Sequence, residues 1–170
     1  PRSTPLYSSA ASDVYKRQGF KSKTDMWGAV DKPINPMQQA ISAGATFVAR
    51  STHTNPKHLL SMMEAAMDHK GFAFIECLSE CTEFYAGAFD ASNPRKGGEY
   101  LLVPEDHDVT DEAAAYKLAG EDFPGKFGVY YQVQRPTKNA LEAGVSDAAK
   151  AKFEGKKDWE VLQTTFNRMK

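Results

Sequence analysis

Hydrophobic and polar residues change spacing through the middle of the chain in a way that separates helices from strands. Asn35 can cap the free N–H groups of a helix, and Pro36 is favoured at the first helical position. A short helix is therefore expected to run to about Ser42, with Gly44 well placed to end it. The mostly apolar, β-prone run 45–50 that follows predicts a strand.

The same order of elements repeats immediately afterwards. Asn55-Pro56 gives a second helix start, and apolar residues at the spacing of one helical face predict a helix over 57–69. Basic residues near its end and Gly71 in a left-handed cap are expected to close it. The unbroken apolar run Phe72-Ala73-Phe74-Ile75 then predicts a second strand, which extends to about Cys77.

Strands that are apolar on both faces and alternate with helices indicate a parallel sheet covered by helices, which is an α/β architecture. The methionines on the second helix are expected to pack in the core; they are Met62, Met63 and Met67.

The pattern is weaker beyond the second strand. A Gly-, Asn- and Pro-bearing stretch at 84–98 is expected to be a long surface loop. Thr110 is expected to cap a helix over 111–118. An aromatic-rich strand is predicted over 127–133 and a mostly exposed helix over 139–153, with the last residues peripheral.

Composition narrows the class of protein. The 170 residues carry a formal net charge of −1, which gives no electrostatic reason to bind nucleic acid. No run approaches the length needed to span a bilayer, and no apolar secretory segment is visible. The sequence contains only two cysteines, Cys77 and Cys81, which does not suggest a disulfide scaffold. We therefore expect a cytoplasmic protein that binds neither nucleic acid nor a membrane.

The first eighteen residues are polar and have no apolar periodicity. The stretch Asp13–Gln18 back-translates to GATGTGTATAAGAGACAG, which looks like the transposase mosaic end used to build sequencing libraries. We interpret 1–18 as a non-native, adapter-like tail, and we expect native sequence upstream of Gly19 to be missing. A disordered native tail is the alternative.

Ligands of open parallel sheets gather outside the carboxyl ends of the strands, so two loops are candidates for chemistry. These are the loop 51–54, which contains His53, and the loop 78–84, which contains Cys81. A thiolate just past a buried strand is held firmly and can still face a metal centre. Cys77 is expected to end the apolar run and to point into the packing. Because a zinc or four-iron site needs about four ligands, the two cysteines alone are a weak signal.

Other candidate residues are better explained as ordinary loop positions. Asp106-His107-Asp108 could form a metal site or a catalytic dyad, but we interpret it as a solvated loop that leads into the Thr110 cap. His53 could face a ligand, although a polar loop histidine is more often simply exposed. The sequence has no Gly-x-Gly-x-x-Gly dinucleotide fingerprint, no phosphate-binding Gly-Lys-Ser/Thr loop and no Gly-x-Ser-x-Gly nucleophile elbow.

Read as an ordered set, several segments resemble the beta subunits of 2-oxoacid:ferredoxin oxidoreductases. The segments are Gly44–Arg50, Pro56–Leu59 and His69–Glu76, followed by 106–108, 128–132 and Pro136-Thr137. The resemblance covers roughly Gly19–Glu142. It implies a partial thiamine-diphosphate-binding fold, with a mainly parallel sheet flanked by helices, and a C-terminal extension. The implied domains are 19–80 for the cofactor-binding part and 81–170 for the extension.

In that family, a Leu-x-Pro-Cys segment after the strand supplies one of four cysteine ligands to a [4Fe-4S] cluster. Leu78-Ser79-Glu80-Cys81 matches this segment, with Glu80 where Pro is common, so the resemblance assigns the ligand role to Cys81. It also implies thiamine diphosphate and Mg²⁺, whose ligands lie upstream with the other three cysteines. The implied partners are an alpha subunit, ferredoxin, a 2-oxoacid and coenzyme A.

The resemblance predicts oxidative decarboxylation of a 2-oxoacid to an acyl-CoA with reduction of ferredoxin, and it favours 2-oxoglutarate over pyruvate. The chain alone is expected to be inactive. Two alternatives stay open at this point. One is a non-redox thiamine enzyme, which shares the fold and needs no cysteine ligand. The other is a non-catalytic α/β interaction module in which Cys81 is merely a buried thiol.

Overall fold

The computed structural model describes residues 34–82, 86–121 and 125–169, together with Gly19, Lys21 and residues 26–28. The adapter-like segment 1–18 lies outside these ranges. The chain divides into two compact units between Gln134 and Arg135. The predicted domain boundary at residue 80 stays a prediction, and residues on both sides of it pack together in the first unit.

A small mixed sheet forms the centre of the first unit. Its strands are β1 (Phe47–Thr52), β2 (Ala73–Leu78) and β3 (Gly128–Gln132), in the order β2-β1-β3. β1 pairs with β2 in parallel along its whole length, as the sequence pattern predicted. β1 pairs with β3 antiparallel, with an irregularity between Val48 and Ala49. The α/β class is confirmed, and the antiparallel β3 makes the sheet mixed.

Among the described residues of this unit, three α-helices accompany these strands: α1 (Pro36–Ser42), α2 (Pro56–Asp68) and α3 (Glu112–Ala119). The side-chain oxygens of Asn35 and Asn55 accept N–H bonds from the first turns of α1 and α2, at 3.0 and 3.2 Å. Both predicted helix starts are therefore confirmed. Their caps place α1 before β1 and α2 between the two parallel strands, which is the βαβ arrangement.

The cap of α3 differs from the prediction by one residue. Asp111, not Thr110, is the N-cap, and its Oδ1 accepts from the backbone nitrogens of Ala113 and Ala114 at 2.9 and 3.0 Å. The hydroxyl of Thr110 instead donates to Asp108 Oδ1 at 2.7 Å. Both threonine and aspartate can cap a helix. The Thr110 hydroxyl is already bonded to Asp108 in the preceding turn, so Asp111 takes the cap position.

Gly71 was expected in a left-handed helix cap, and this expectation is wrong. Its φ is not among the positive values, whereas Gly44, at the end of α1, has a φ of 85°. A Cβ placed on Gly71 would lie 2.2 Å from Thr46 Oγ1. Glycine is required here because the backbone approaches the start of β1 closely.

The main core lies between the sheet and two of the helices. All six residues of β1 are buried. The core is formed by Met37, Ala40 and Ile41 of α1, Val48 of β1, Ala115 and Ala119 of α3, and Tyr130 and Tyr131 of β3, together with Ala45. This packing lies against β1, which is the interior strand of the described sheet.

The segment 84–98, expected to be a long surface loop, contributes to a second core cluster where it is described. Residues 90–92 and 94–96 form two short 3₁₀ turns. Phe89 is 1% exposed and packs with Leu78 of β2 and with Phe127. One aromatic residue therefore anchors the segment against the end of β2, because burying a phenylalanine side chain stabilises by about 2 kcal/mol.

The methionines of α2 are less buried than expected. Met62 is half-buried, but Met63 and Met67 are 45% and 78% exposed, so the core role predicted for these two is wrong. No residue of α2 is fully buried. Helical spacing identified the apolar positions, but the described part of the chain covers only one side of the helix.

The second unit consists of α4 (Lys138–Phe153) and α5 (Asp158–Arg168). α4 confirms the predicted exposed helix, and α5 was not predicted. Neither helix contains a buried residue. In the described ranges, no helix has both the length and the hydropathy that crossing a bilayer requires.

Candidate functional site

The carboxyl ends of β1 and β2 lie together, and a histidine links the two candidate loops. The backbone nitrogen of His53 donates to the carbonyl oxygen of Leu78 at 3.0 Å. Nδ1 of the same residue lies 3.1 Å from that oxygen. Since a carbonyl only accepts, Nδ1 carries the proton in this contact. The expectation that His53 is exposed is confirmed, and its ring lies edge-on to Phe89.

The loop after β1 begins two residues later than predicted, because Ser51 and Thr52 still belong to the strand and are fully buried.

Glu80, the departure from the family pattern, fixes the loop that follows β2. Its Oε1 accepts from the backbone nitrogen of Gly87 at 2.6 Å, and its Oε2 lies 3.9 Å from Lys96 Nζ. Gly87 has a φ of 76°, which favours glycine. The carboxylate of Glu80 therefore connects the end of β2 to the segment that contains Phe89. Glu80 makes this connection at the position where proline is common in the family pattern.

Cys81 lies three residues beyond the end of β2, next to Glu80. It is a free thiol of intermediate exposure. Its neighbour Glu80 is tied to Gly87, and Leu78 accepts both bonds from His53. Cys81 therefore follows two anchored residues, and its thiol is partly exposed.

Cys77 was expected to point into the packing, and the structure contradicts this. It is exposed, although partial burial raises the pKa of its thiol. Its strand alternates, so that Leu78 enters the core cluster while Cys77 faces the other side. That side is only half covered within the described residues, because β2 lies at the edge of the sheet.

A buried ion pair joins all three strands below this edge. Arg50 Nε lies 2.5 Å from Glu76 Oε2, and the two side chains are 6% and 11% exposed. Arg50 Nη1 also donates to the hydroxyl of Tyr130 at 3.3 Å, and that hydroxyl donates to the carbonyl of Lys126 at 2.6 Å. Burial raises the pKa of Tyr130. The network holds β1, β2 and β3 in register beneath the rim.

Sequence reasoning gave this pair no role. The sequence did contain a signal, because Arg50 and Glu76 are the single charged residues of two otherwise uncharged strands. The structure shows that these two residues are direct register partners.

A second polar cluster lies on the opposite face of the sheet. Ser51 Oγ is 2.8 Å from His58 Nδ1, and the His58 ring lies edge-on to Tyr100 at 5.6 Å. Tyr100 stacks on Phe127 at 4.3 Å. Burial lowers the pKa of His58 and raises that of Tyr100 to about 12. Because Ser51 has no exposed surface, this hydroxyl–imidazole contact ties β1 to the first turn of α2 and cannot receive a substrate.

The Asp106-His107-Asp108 segment is a turn, which agrees with its interpretation as a loop. Both aspartates are exposed, and hydrogen bonds from Thr110 lower the pKa of Asp108. His107 is half-buried, with Nε2 2.8 Å from the carbonyl oxygen of Tyr130. The histidine fastens the turn to β3, so the three side chains do not converge on a common point.

The described residues fit one ligand of a metal cluster and not a complete set. Among them, no group of three or more His, Cys, Asp or Glu side chains could hold a metal ion. Cys81 has the chemistry and the exposure of a thiolate ligand, and it directly follows Glu80, whose side chain is bonded to Gly87. The sequence has one other cysteine, Cys77 in β2, so at least two ligands of any four-cysteine cluster would come from outside this sequence.

No protein-family model matches the chain. It is similar to the 2-oxoglutarate oxidoreductase subunit KorB of Mycobacterium tuberculosis, with 31% identity over 73% of this chain and 32% of that protein. The 2-oxoglutarate synthase subunit KorB of Methanocaldococcus jannaschii is 31% identical over 69% of this chain and 43% of that protein. The beta subunit of a 2-oxoacid:ferredoxin oxidoreductase from a Sulfolobus species is 39% identical over 44% of this chain and 24% of that protein.

A solved structure has the same fold. It is the 2-oxoglutarate:ferredoxin oxidoreductase from Magnetococcus marinus with 2-oxoglutarate, coenzyme A and succinyl-CoA bound. The TM-score is 0.72 with 26% identity, over 87% of this chain and 50% of that chain. The chain thus spans half or less of the length of each of these proteins.

Proposed function

Because this chain belongs, over most of its length, to the beta subunits of 2-oxoacid:ferredoxin oxidoreductases, we propose that it is the C-terminal part of such a subunit. The whole enzyme would convert a 2-oxoacid and coenzyme A to an acyl-CoA and carbon dioxide while reducing ferredoxin. The relatives named above are subunits of enzymes that act on 2-oxoglutarate or related 2-oxoacids, which supports this reaction.

Cys81 is the residue that we assign to this chemistry, as one of four thiolate ligands of a [4Fe-4S] cluster. The observation that carries the assignment is its position: a partly exposed thiol just beyond the carboxyl end of a parallel strand. A bound cluster supplies one-electron transfer, with a reduction potential set by its ligands and surroundings.

Residues around Cys81 hold the ligand in place. His53 joins the two loops through the carbonyl of Leu78, and Glu80 ties the loop of Cys81 to Gly87. Below them, the Arg50–Glu76 pair keeps the strand ends in register. A preorganised loop lowers the entropic cost of binding a rigid cluster.

The remaining cofactors and partners follow from the proposed family role. Thiamine diphosphate, which acts as an electron sink when bound, and Mg²⁺ belong to the whole subunit. We assign no ligand of either to the described residues. The partners are an alpha subunit, ferredoxin, coenzyme A and a 2-oxoacid, for which we propose 2-oxoglutarate because the named relatives act on it. We propose that the enzyme is cytoplasmic.

The test compares Cys81→Ser with Cys77→Ser in the full-length subunit assembled with its alpha subunit. Cys81→Ser is expected to lose most of the visible absorbance, iron and sulfide of one cluster, and with them ferredoxin reduction. Cys77→Ser changes the other thiol of the chain and is expected to keep all three. The pair therefore separates ligation from general sensitivity of the thiols.

The outcomes distinguish the alternatives. Full iron content and unchanged absorbance in Cys81→Ser would remove the ligand assignment. A wild-type subunit that binds thiamine diphosphate but contains no iron would indicate a non-redox thiamine enzyme. A wild-type subunit that binds neither would indicate an interaction module.

A further inference from the structure

A group of charged side chains lies directly beside the proposed cluster ligand. Glu80 precedes Cys81 in the chain, and its side chain is only 18% exposed. Its Oε2 lies 3.9 Å from Lys96 Nζ, and the same Nζ donates to Asp90 Oδ1 at 2.7 Å. One ammonium therefore faces two carboxylates, which leaves the three side chains with a net charge of −1.

The backbone holds the Glu80 carboxylate in this position. Its other oxygen, Oε1, accepts from the backbone nitrogen of Gly87 at 2.6 Å. The turn that starts at Gly87 also brings in the second carboxylate, because the Asp90 nitrogen donates to the Gly87 carbonyl oxygen at 3.1 Å. Phe89 in the same turn is buried and packs with Leu78 at the end of β2. The negative charge of Glu80 is therefore held at a fixed place near the strand end.

This charge is close enough to Cys81 to act on a bound cluster. Consecutive Cα atoms are about 3.8 Å apart, so a carboxylate on one residue lies within about 10 Å of the sulfur on the next. That distance is about one Debye length at physiological salt, and a largely buried charge is screened less than an exposed one. Reduction adds one electron to a cluster, and a nearby negative charge opposes this addition. The charge of Glu80 would therefore lower the reduction potential.

We propose that Glu80 sets the reduction potential of the cluster that Cys81 binds, because its carboxylate is a fixed negative charge beside the ligand. This inference rests on the proposed function, in which Cys81 is a cluster ligand. Glu80 is a positioning residue, since it supplies a charge next to the ligand and no ligand atom. Lys96 acts in the opposite direction, because its ammonium offsets part of the charge of Glu80. A low potential favours transfer of the electron to ferredoxin.

Two variants with opposite expected effects test the proposal in the full-length subunit assembled with its alpha subunit. Glu80→Gln removes the charge and keeps a side-chain oxygen that can accept from Gly87. Lys96→Met removes the opposing charge and keeps a long side chain. A redox titration followed by electron paramagnetic resonance measures the midpoint potential of the cluster. Glu80→Gln is expected to raise this potential, and Lys96→Met is expected to lower it.

Glu64→Gln is the matched control, because it makes the same chemical change at a distance from the ligand. Glu64 is exposed and lies in the second half of α2, whereas the first turn of that helix contacts the end of β1 through His58 and Ser51. The control is expected to keep the wild-type potential. An unchanged potential in Glu80→Gln, with the cluster retained, would overturn the proposal, and so would an equal rise in Glu64→Gln.

Iron and sulfide content, measured on the same samples, separate this inference from the proposed function. A wild-type subunit without a cluster removes the proposed function and this inference together. A wild-type cluster whose potential is the same in Glu80→Gln and Lys96→Met removes only the role of Glu80. If Glu80→Gln loses its cluster, Lys96→Met decides: a lower potential supports the proposal, and an unchanged or higher potential overturns it.

Discussion

The two compact units are stabilised in different ways. In the first unit, β1 is buried along its whole length, and aromatic and aliphatic residues from four elements meet around it. In the second unit, neither α4 nor α5 contains a buried residue. The apolar positions of α5 are open, with Trp159, Leu162 and Phe166 each 58–62% exposed.

The polar contacts show the same contrast. In the first unit, Arg50 and Glu76 are 26 residues apart in sequence and nearly buried. In the second, Lys138 and Glu142 are one helical turn apart and largely exposed. Water screens an exposed pair, whereas a buried charge depends on its partner. The same type of substitution should therefore have different effects in the two units.

Removing one member of the buried ion pair is the strongest test of this contrast. Glu76→Ala leaves the Arg50 guanidinium in the sheet without its carboxylate, and we expect the free energy of unfolding to fall by about 3 kcal/mol or more. The control, Glu142→Ala on α4, is expected to change it by about 0.5 kcal/mol or less. Urea denaturation followed by circular dichroism measures both. Similar small losses for the two variants would contradict the contrast.

Truncating an apolar side chain gives a second comparison. Met37 is fully buried in α1, and Met37→Ala is expected to destabilise the protein by about 2 to 5 kcal/mol because it leaves a cavity. Leu162→Ala on α5 removes an exposed side chain and is expected to change stability by about 0.5 kcal/mol or less. A large loss from Leu162→Ala would mean that α5 packs more tightly than its exposure indicates.

Two glycines should respond in opposite directions to the same added methyl group. Gly71→Ala places a Cβ against Thr46 Oγ1, and we expect a loss of about 1 to 3 kcal/mol. Gly144 lies inside α4, where an added Cβ would meet open space, so Gly144→Ala is expected to stabilise by about 0.5 to 1 kcal/mol. Thermal denaturation of the two variants gives the sign directly. Effects of the same sign would refute the explanation from close approach.

The smallest expected effect is a pH dependence in the first unit. Burial lowers the pKa of His58 from 6.5, so the unfolded chain binds this proton at a higher pH than the folded chain does. His58 therefore contributes stability above about pH 6.5 that is lost as the pH falls. His58→Asn keeps an acceptor near Ser51 and is expected to reduce the slope of stability between about pH 7 and 5. An unchanged slope in His58→Asn would contradict this contribution of His58. Residues 135–169 contain no histidine, so no histidine of α4 or α5 adds to the slope.

Local signals in the sequence were enough to locate most elements. The Asn-Pro pairs at 35–36 and 55–56 start α1 and α2, and the apolar runs after them form the two parallel strands. Caps and periodicity act over a few residues, so they can be read without the fold. The same reasoning placed Cys81 beyond the end of a strand, where the structure has it.

Only the tertiary structure decided which apolar residues are covered and which charges meet. Cys77, Met63 and Met67 lie in apolar patterns, yet they are exposed because the described chain packs on one side of β2 and α2 only. Gly71 was interpreted as a cap from its neighbours, but Thr46, distant in sequence, explains it. Burial and pairing depend on what distant segments bring to a site, which a local pattern does not encode.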